Sequence, residues 1–352
     1  MTSTPARPRV GVIGVGSLGF HHARLLRGVG DASFLGFYEA GAERAAKVAE
    51  ELGIRAYSSM SALLADVDAV SIVVPTPAHY EVAKAALAAG KHVLIEKPIT
   101  ATIEQADELL AVAAKNGVLV QIGHIERFNR AIRAAMPYVD HPLFLDSDRL
   151  APFSPRGSDV AVVLDLMIHD IDLLLSLVGA KVRDVSAAGI PVLTPSLDIA
   201  NARLTFENGA VATITASRVS RERMRKLRIF QRNAYLSLDL GAGNGELYRL
   251  RGDVDLAALV KQAQPLEAFV ERIPLEAPEG EPLKLELENF VAALRGTEPV
   301  AVTGEEGRDA LQVALRIVHD IERALPAFAA RGGAVARGGA AAGAGGTARP
   351  GA

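Results

Sequence analysis

The chain contains no cysteine and no tryptophan, and aromatic residues are only 5% of its 352 positions. Without cysteine there can be no disulfide, no thiol nucleophile and no thiolate metal site. No apolar run reaches the roughly 18 residues that a membrane-spanning helix requires. The most apolar stretch, residues 160–178, is interrupted by Asp165, His169, Asp170 and Asp172. Charge of one sign is also lacking: 38 basic side chains face 41 acidic ones, a net charge of −3 that argues against general nucleic-acid binding. The first ten residues lead into an apolar strand pattern with no signal-peptide core, so the cytoplasm is the expected location. What the chain does have is 49% hydrophobic residues, enough for a large core shared by two domains.

Residues 10–19, VGVIGVGSLG, read as a buried strand that turns at Gly14 and continues as a helix. Gly14 permits the tight turn, Gly16 lets the backbone approach a pyrophosphate, and Gly19 lets the helix pack close to the strand. Ser17 and Leu18 open the helix, whose free N–H groups and positive dipole end face the phosphates. A second strand ends at Glu39, about 20 residues further on, where a carboxylate accepts the ribose hydroxyls and repels a 2′-phosphate. NAD is therefore the expected cofactor.

Strand and helix signals alternate through the first 123 residues, with strands expected at 10–13, 33–38, 56–57, 69–74, 92–95 and 118–122. Helices are expected between them, including 78–89 and 103–116. Such alternation is the mark of a doubly wound parallel sheet, an α/β NAD-binding Rossmann domain over 1–123. Beyond it, one long apolar helix over 160–178 precedes adjacent strand-like segments at 182–189, 199–206, 211–217, 226–231, 234–240 and 246–250. Strands without intervening helices imply an antiparallel sheet, hence a second, α+β domain with a large, mostly antiparallel open sheet over 124–330. Late helices are expected at 283–294 and 305–324, and the Gly/Ala-rich segment 331–352 reads as a disordered tail.

Three places carry candidate chemistry. In residues 91–100, KHVLIEKPIT, a buried strand ends in Glu96-Lys97-Pro98. Ligands of open α/β sheets bind beyond the carboxyl ends of the strands, which puts Glu96 and Lys97 beside a nicotinamide. Pro75 and Thr76, with His79 just after them, follow the preceding strand and line the cofactor channel. In the apolar helix, Asp165, His169, Asp172 and Ser176 fall at i, i+4, i+7 and i+11, on one face. A short polar stripe on a buried helix marks a cavity, in which Asp165 orients His169 and His169 serves as a general base; a hydrogen-bonded core pair is the other reading. No further His/Asp cluster completes a metal site, and none is expected.

With these motifs in this order, the chain resembles the Gfo/Idh/MocA oxidoreductases over residues 8–330. The resemblance implies a Rossmann domain followed by an α/β domain whose open sheet mediates homodimer or homotetramer formation. It also implies that Lys97, Asp165 and His169 surround the reacting carbon. The segments 123–129, GHIERFN, and 165–172, DLMIHDID, look like the UDP-N-acetylglucosamine 3-dehydrogenase branch, which oxidises the sugar 3-hydroxyl before amination for lipid A-type glycolipids; that branch has proline where Arg130 stands. A nucleotide sugar needs cations for its diphosphate. Arg127 and Arg156 are candidates for that role, with Arg149 also near the domain junction, and Asn129 and Asp172 are candidate sugar contacts. The basic run Arg218, Arg221, Arg223, Arg225, Lys226 and Arg228 reads mostly as a solvated strand edge or oligomer contact. Rival readings are an inositol-type dehydrogenase, an NAD-dependent glycosidase and a non-catalytic NAD-binding regulator. Which of Lys97 and His169 is the formal base stays open.

Overall fold

The first strand, β1 (Arg9–Ile13), carries Val10, Val12 and Ile13 with almost no exposure, so it lies inside a layer covered on both sides. It is flanked by β2 (Ser33–Tyr38) and β3 (Ala69–Ile72), and β4 (His92–Glu96) and β5 (Val120–Gly123) complete a parallel sheet of order β2-β1-β3-β4-β5. Helices α1 (Ser17–Leu26), α2 (Ala42–Leu52), α3 (Met60–Asp66), α4 (Thr76–Ala88) and α5 (Ile103–Asn116) connect the strands. Strand order reverses at β1, so a crevice opens above the carboxyl ends of β1 and β3. The short strand expected at 56–57 is reduced to a single bridge between Phe37 and Ala56. This computed structural model describes residues 7–154, 157, 160–252 and 269–338, with the backbone alone for 326–338.

The second sheet has eight strands: β6 (Phe144–Leu150), β7 (Val182–Ile190), β8 (Ile199–Phe206), β9 (Val211–Ser217), β10 (Met224–Gln231), β11 (Ala234–Asp239), β12 (Asn244–Leu250) and β13 (Val270–Leu275). Their order is β13-β12-β11-β10-β6-β9-β8-β7, antiparallel except for the β6–β9 pair. Strands β6 and β13 are absent from the sequence expectations. In β6 both faces carry polar residues: Asp146 and Asp148 on one, Ser147 and Arg149 on the other. Helices α6 (Arg130–Ala135) and α7 (Ile168–Val178) cover one face, and Leu145, Ile214 and Ile229 of the sheet join Ile171 and Leu174 of α7 in one core. The opposite face is open and bears the ring series Phe144, Phe230, Tyr235 and Tyr248, with successive centroids 4.7–5.7 Å apart.

Three boundaries differ from the sequence expectations. The apolar segment 160–178 is not one α-helix: Val163–Met167 is a π-helical turn, and α7 begins at Ile168. Helix α8 (Pro282–Leu294) packs Leu283, Leu287, Phe290 and Val291 against Val10, Val12 and Leu26, so it belongs to the core of the first domain although it follows the second. Helix α9 (Gly304–Gly338) continues past the point where the tail was expected to begin. The rest of the expected tail, 339–352, lies outside the described residues.

Candidate active site

The glycine-rich turn has the geometry its sequence implies. Gly14 has φ +87°, and a Cβ there would come within 2.5 Å of the Val73 carbonyl oxygen. At Gly19 a Cβ would lie 2.0 Å from the Gly14 oxygen, so helix and strand pack too closely for any side chain. Around Gly16 a Cβ would meet nothing within 4 Å: its position opens into space rather than into protein. Glu39, at the end of β2, accepts hydrogen bonds from the Val15 N–H (2.8 Å) and the Gly41 N–H (3.0 Å). Its carboxylate is thereby fixed beside the turn, with lone pairs left for a ribose. Arg44 of α2 was missed in the sequence. Its guanidinium donates to the carbonyls of Val15 and Gly16 at 2.8 and 3.1 Å, bracing the same turn from the other side.

A cavity of about 650 Å³ runs from this turn across the crevice. Gly16, Ser17 and Leu18 line one end, Pro75, Thr76 and His79 the middle, and Glu96, Lys97, Leu164 and Asp165 the far end. Positions as far apart in sequence as Gly16 and Asp165 are thus brought to one space, and the Glu39 carboxylate stands beside the turn that opens into it, an arrangement that fits a dinucleotide. Within it, His79 is buried, its ring nitrogens 2.7 Å from the Pro98 oxygen and 2.9 Å from the Val74 oxygen, so it ties the two crevice loops together. Burial pushes its imidazole below the usual range. Glu96 is buried too, 3.1 Å from His22 Nε2, and His22 in turn meets the Ser71 hydroxyl at 2.9 Å. Burial pushes the Glu96 carboxyl up, but the His22 contact and the charges of Lys97 and His79 together outweigh it and the net shift is downward. The Lys97–Pro98 bond is cis.

Lys97 Nζ donates to the Asp165 carbonyl at 2.7 Å and lies 3.3 Å from its Oδ1. Asp165 therefore orients Lys97, not His169 as the sequence pattern suggested. The physical reason is the π-helical turn, which breaks the i, i+4 stacking of a regular α-helix between those two residues. His169 does not itself line the cavity. Its ring meets that of His124 edge-on, with centroids 6.2 Å apart, and its Nδ1 has no hydrogen-bond partner among the described residues. Burial and the charges of Lys97, Arg149 and, more weakly, Arg225 push its imidazole well below the usual range, so it is neutral at neutral pH. His124, at the end of β5, is also buried and shifted down by burial.

The residues expected to meet substrate fare differently. Asp172 is spent on Arg127, which grips it through Nε (2.7 Å) and Nη2 (2.9 Å) while Nη1 donates to Ser176 at 2.6 Å. Asp172 is only 1% exposed, and Arg127 lines a different cavity, beside Lys181 and Glu306. Asn129 is an N-cap: its Oδ1 accepts from the Ala131 N–H and its Nδ2 donates to Glu126 and to the Leu240 carbonyl. The lower half of the polar stripe is thus architecture rather than site. Arg156 lies outside the described residues. No group of three or more His, Asp or Glu among the described residues could hold a metal.

Comparison with known proteins gives this geometry a family. Residues 8–124 match the model of the oxidoreductase family with an NAD-binding Rossmann fold, and residues 121–237 match the GFO/IDH/MocA C-terminal domain. The chain belongs to the Gfo/Idh/MocA oxidoreductase family. As a member of that family it is an NAD-dependent oxidoreductase. It is 41% identical to UDP-N-acetylglucosamine 3-dehydrogenase from Acidithiobacillus ferrooxidans across 90% of this chain and 98% of that one. The solved structure of that enzyme superimposes with a TM-score of 0.81 over the same shares. Myo-inositol 2-dehydrogenase of Thermotoga maritima is 28% identical over 86% of this Gfo/Idh/MocA chain and 93% of its own. A levoglucosan dehydrogenase solved with NADH and levoglucosan, at 19% identity, shares the fold with a TM-score of 0.76, covering 90% of this chain and 97% of that one.

Proposed function

We propose that this chain oxidises the 3-hydroxyl of UDP-N-acetylglucosamine to the 3-keto sugar. The observation that carries the reading is 41% identity spanning 98% of an enzyme with that name, joined to a crevice that holds Lys97 and Asp165 at its far end. NAD, held in this crevice, would supply the acceptor for a hydride from the sugar carbon. Gly14, Gly16 and Gly19 shape the turn that would hold the pyrophosphate, with Ser17 and Leu18 beside it, and Glu39 would accept hydrogen bonds from the ribose hydroxyls. Thr76 and Pro75 bound the nicotinamide end. His169 is neutral at neutral pH and so has a lone pair for the hydroxyl proton, while burial and the surrounding cations weaken it as a base. Lys97, fixed by Asp165, supplies the positive charge that stabilises the developing alkoxide.

The open sheet face supports assembly into a homodimer or homotetramer. Phe144 and Phe230 are 38% and 40% exposed there, rimmed by the Arg228–Asp146 and Arg228–Asp148 ion pairs. A cytoplasmic location suits a nucleotide-sugar substrate, and among the described residues no helix is long and apolar enough to cross a membrane. The test is NADH formation against UDP-N-acetylglucosamine, other nucleotide sugars, free N-acetylglucosamine and myo-inositol. Preference for UDP-N-acetylglucosamine by kcat/KM supports the reading. Preference for a free polyol overturns it.

A further inference from the structure

The basic run after β9 contains one half-buried cation, Arg225, whose only carboxylate among the described residues is shared with another arginine. Arg218 is buried and donates to the carbonyls of Gly157 and Val160, both at 2.5 Å. Arg228 faces the open side of the sheet and pairs with Asp146 and Asp148. Arg225 lies on the other side, the one covered by helices, in register with Leu227 and Ile229 and directly across from Arg149 of β6. Arg149 takes up the nearby acids: it bonds Asp170 at 2.5 and 3.1 Å and Glu126 Oε1 at 2.8 Å. Arg225 Nη1 approaches that same Glu126 oxygen, already used by Arg149, no closer than 3.6 Å. Its side chain is 41% exposed. Arg223, two residues before it, is exposed and has no ion pair among the described residues.

Two guanidinium groups therefore stand at the sheet end with no carboxylate of their own. Burial first, then the charge of Arg149, holds the Arg225 guanidinium below the usual range. Arg225 stands across from Arg149 in the sheet, and Arg149 bonds Asp170, the residue that follows His169 in α7, which puts this pair of arginines at the His169 end of the helix. A neutral polyol gives two free arginines nothing to bind. A diphosphate offers two adjoining anionic groups with the planar, bidentate geometry that guanidinium matches. We propose that Arg225, with Arg223 beside it, is the diphosphate-binding subsite that makes this enzyme select a nucleotide sugar. This rests on the reading of the substrate given above, and it replaces Arg127, which the fold spends on Asp172.

The test uses the NAD-loaded full chain and two readouts: the Kd of UDP by calorimetry, and KM for UDP-N-acetylglucosamine. A charge-assisted hydrogen bond lost to a phosphate weakens binding by about tenfold or more. Arg225→Gln is expected to raise both constants by at least that factor, with NAD affinity and Tm unchanged and Arg225→Lys intermediate. Arg223→Gln, at an exposed position that folding does not need, is expected to raise the UDP Kd by a smaller factor. Both glutamine variants are expected to flatten the salt dependence of UDP binding. Equal UDP Kd in wild type and both glutamine variants overturns the proposal, and so does a change confined to oligomeric state. Turnover of UDP-N-acetylglucosamine with KM unaltered in the variants removes the subsite and leaves the function standing. Arg225-dependent UDP binding by an enzyme that oxidises no nucleotide sugar removes the function and leaves the subsite. Absence of UDP binding in the wild type removes both.

Discussion

Replacing Glu39 with alanine tests how the cofactor is chosen. The carboxylate is anchored by the Val15 and Gly41 N–H groups and is half-buried, so water screens it in part. At the water-like end of the range, two unit charges 4 Å apart interact by about 1 kcal/mol, so a 2′-phosphate of nearly two charges is repelled by about 2 kcal/mol. NAD in its place offers a 2′-hydroxyl, and a hydrogen bond to a charged group contributes about 1.5–3 kcal/mol. Together these effects give NAD an advantage of about 3.5–5 kcal/mol, or roughly 400- to 5,000-fold in Kd. Alanine removes both contributions. It also frees the Val15 and Gly41 N–H groups and loosens the turn, which weakens NAD and NADP alike. The ratio of the two Kd values is therefore the informative quantity, not either one alone. Arg44 remains braced on the Val15 and Gly16 carbonyls, a cation close to where the 2′-phosphate would come. In Glu39→Ala the ratio is expected to fall to within about tenfold. Glu39→Gln keeps the acceptor oxygen, so it is expected to retain more NAD affinity than alanine while losing the repulsion. The assay is quenching of protein-bound NADH and NADPH fluorescence. A wild type that binds NADPH within threefold of NADH (about 0.6 kcal/mol), or a ratio unmoved in Glu39→Ala, refutes the reasoning.

His169→Ala and Lys97→Ala are each expected to lower kcat by about 10²–10⁴-fold with NAD Kd near wild type, because neither touches the glycine-rich turn. Because burial and nearby cations hold the His169 imidazole well below 6.5, kcat/KM should stay flat from pH 8 down through 6.5 and fall only further into acid; that limb should vanish in His169→Ala. Stability, read as Tm against pH, should fall as pH drops below about 6.5. Above it the imidazoles of His79, His124 and His169 are neutral in both states, and below it the unfolded chain takes up protons that the folded chain refuses. Glu286 acts in the opposite sense. Burial and the charge of Glu96 hold its carboxyl well above the usual range, so the folded chain keeps a proton that the unfolded chain releases, and Glu286→Gln should raise Tm more at pH 8 than at pH 4.5. Arg149→Met should cost about 3–5 kcal/mol in a denaturant titration, since Asp170 and Glu126 would be left buried without their cation.

The parts of this protein that were legible in sequence are those whose geometry is set within a few residues. The turn at Gly14 needs only its own backbone, and the placement of Lys97 needs only that a buried strand end at Glu96. Strand β6 was hidden because its polar residues are answered from elsewhere: Arg149 and Ser147 by Asp170 of α7, Asp146 and Asp148 by Arg228 of β10. With those partners out of view, FLDSDRL has no face that reads as buried. The polar stripe of the apolar helix failed for a related reason. Spacing alone could not reveal the π-helical turn that swings Asp165 onto Lys97, nor that Arg127, 45 residues before Asp172, would close over Asp172 and Ser176. Whether a buried polar residue is site or scaffold is decided by which distant residue answers it. Asp172, Asn129 and Arg149 are answered several times over and hold the fold together. His169 Nδ1 is not answered among the described residues, and Arg225 is answered only by an oxygen that Arg149 already holds. Unanswered atoms also occur in the buried His124, Gln121 and Glu286, so the roles proposed for His169 and Arg225 rest as well on the position of His169 in the polar stripe and on the exposure of Arg225.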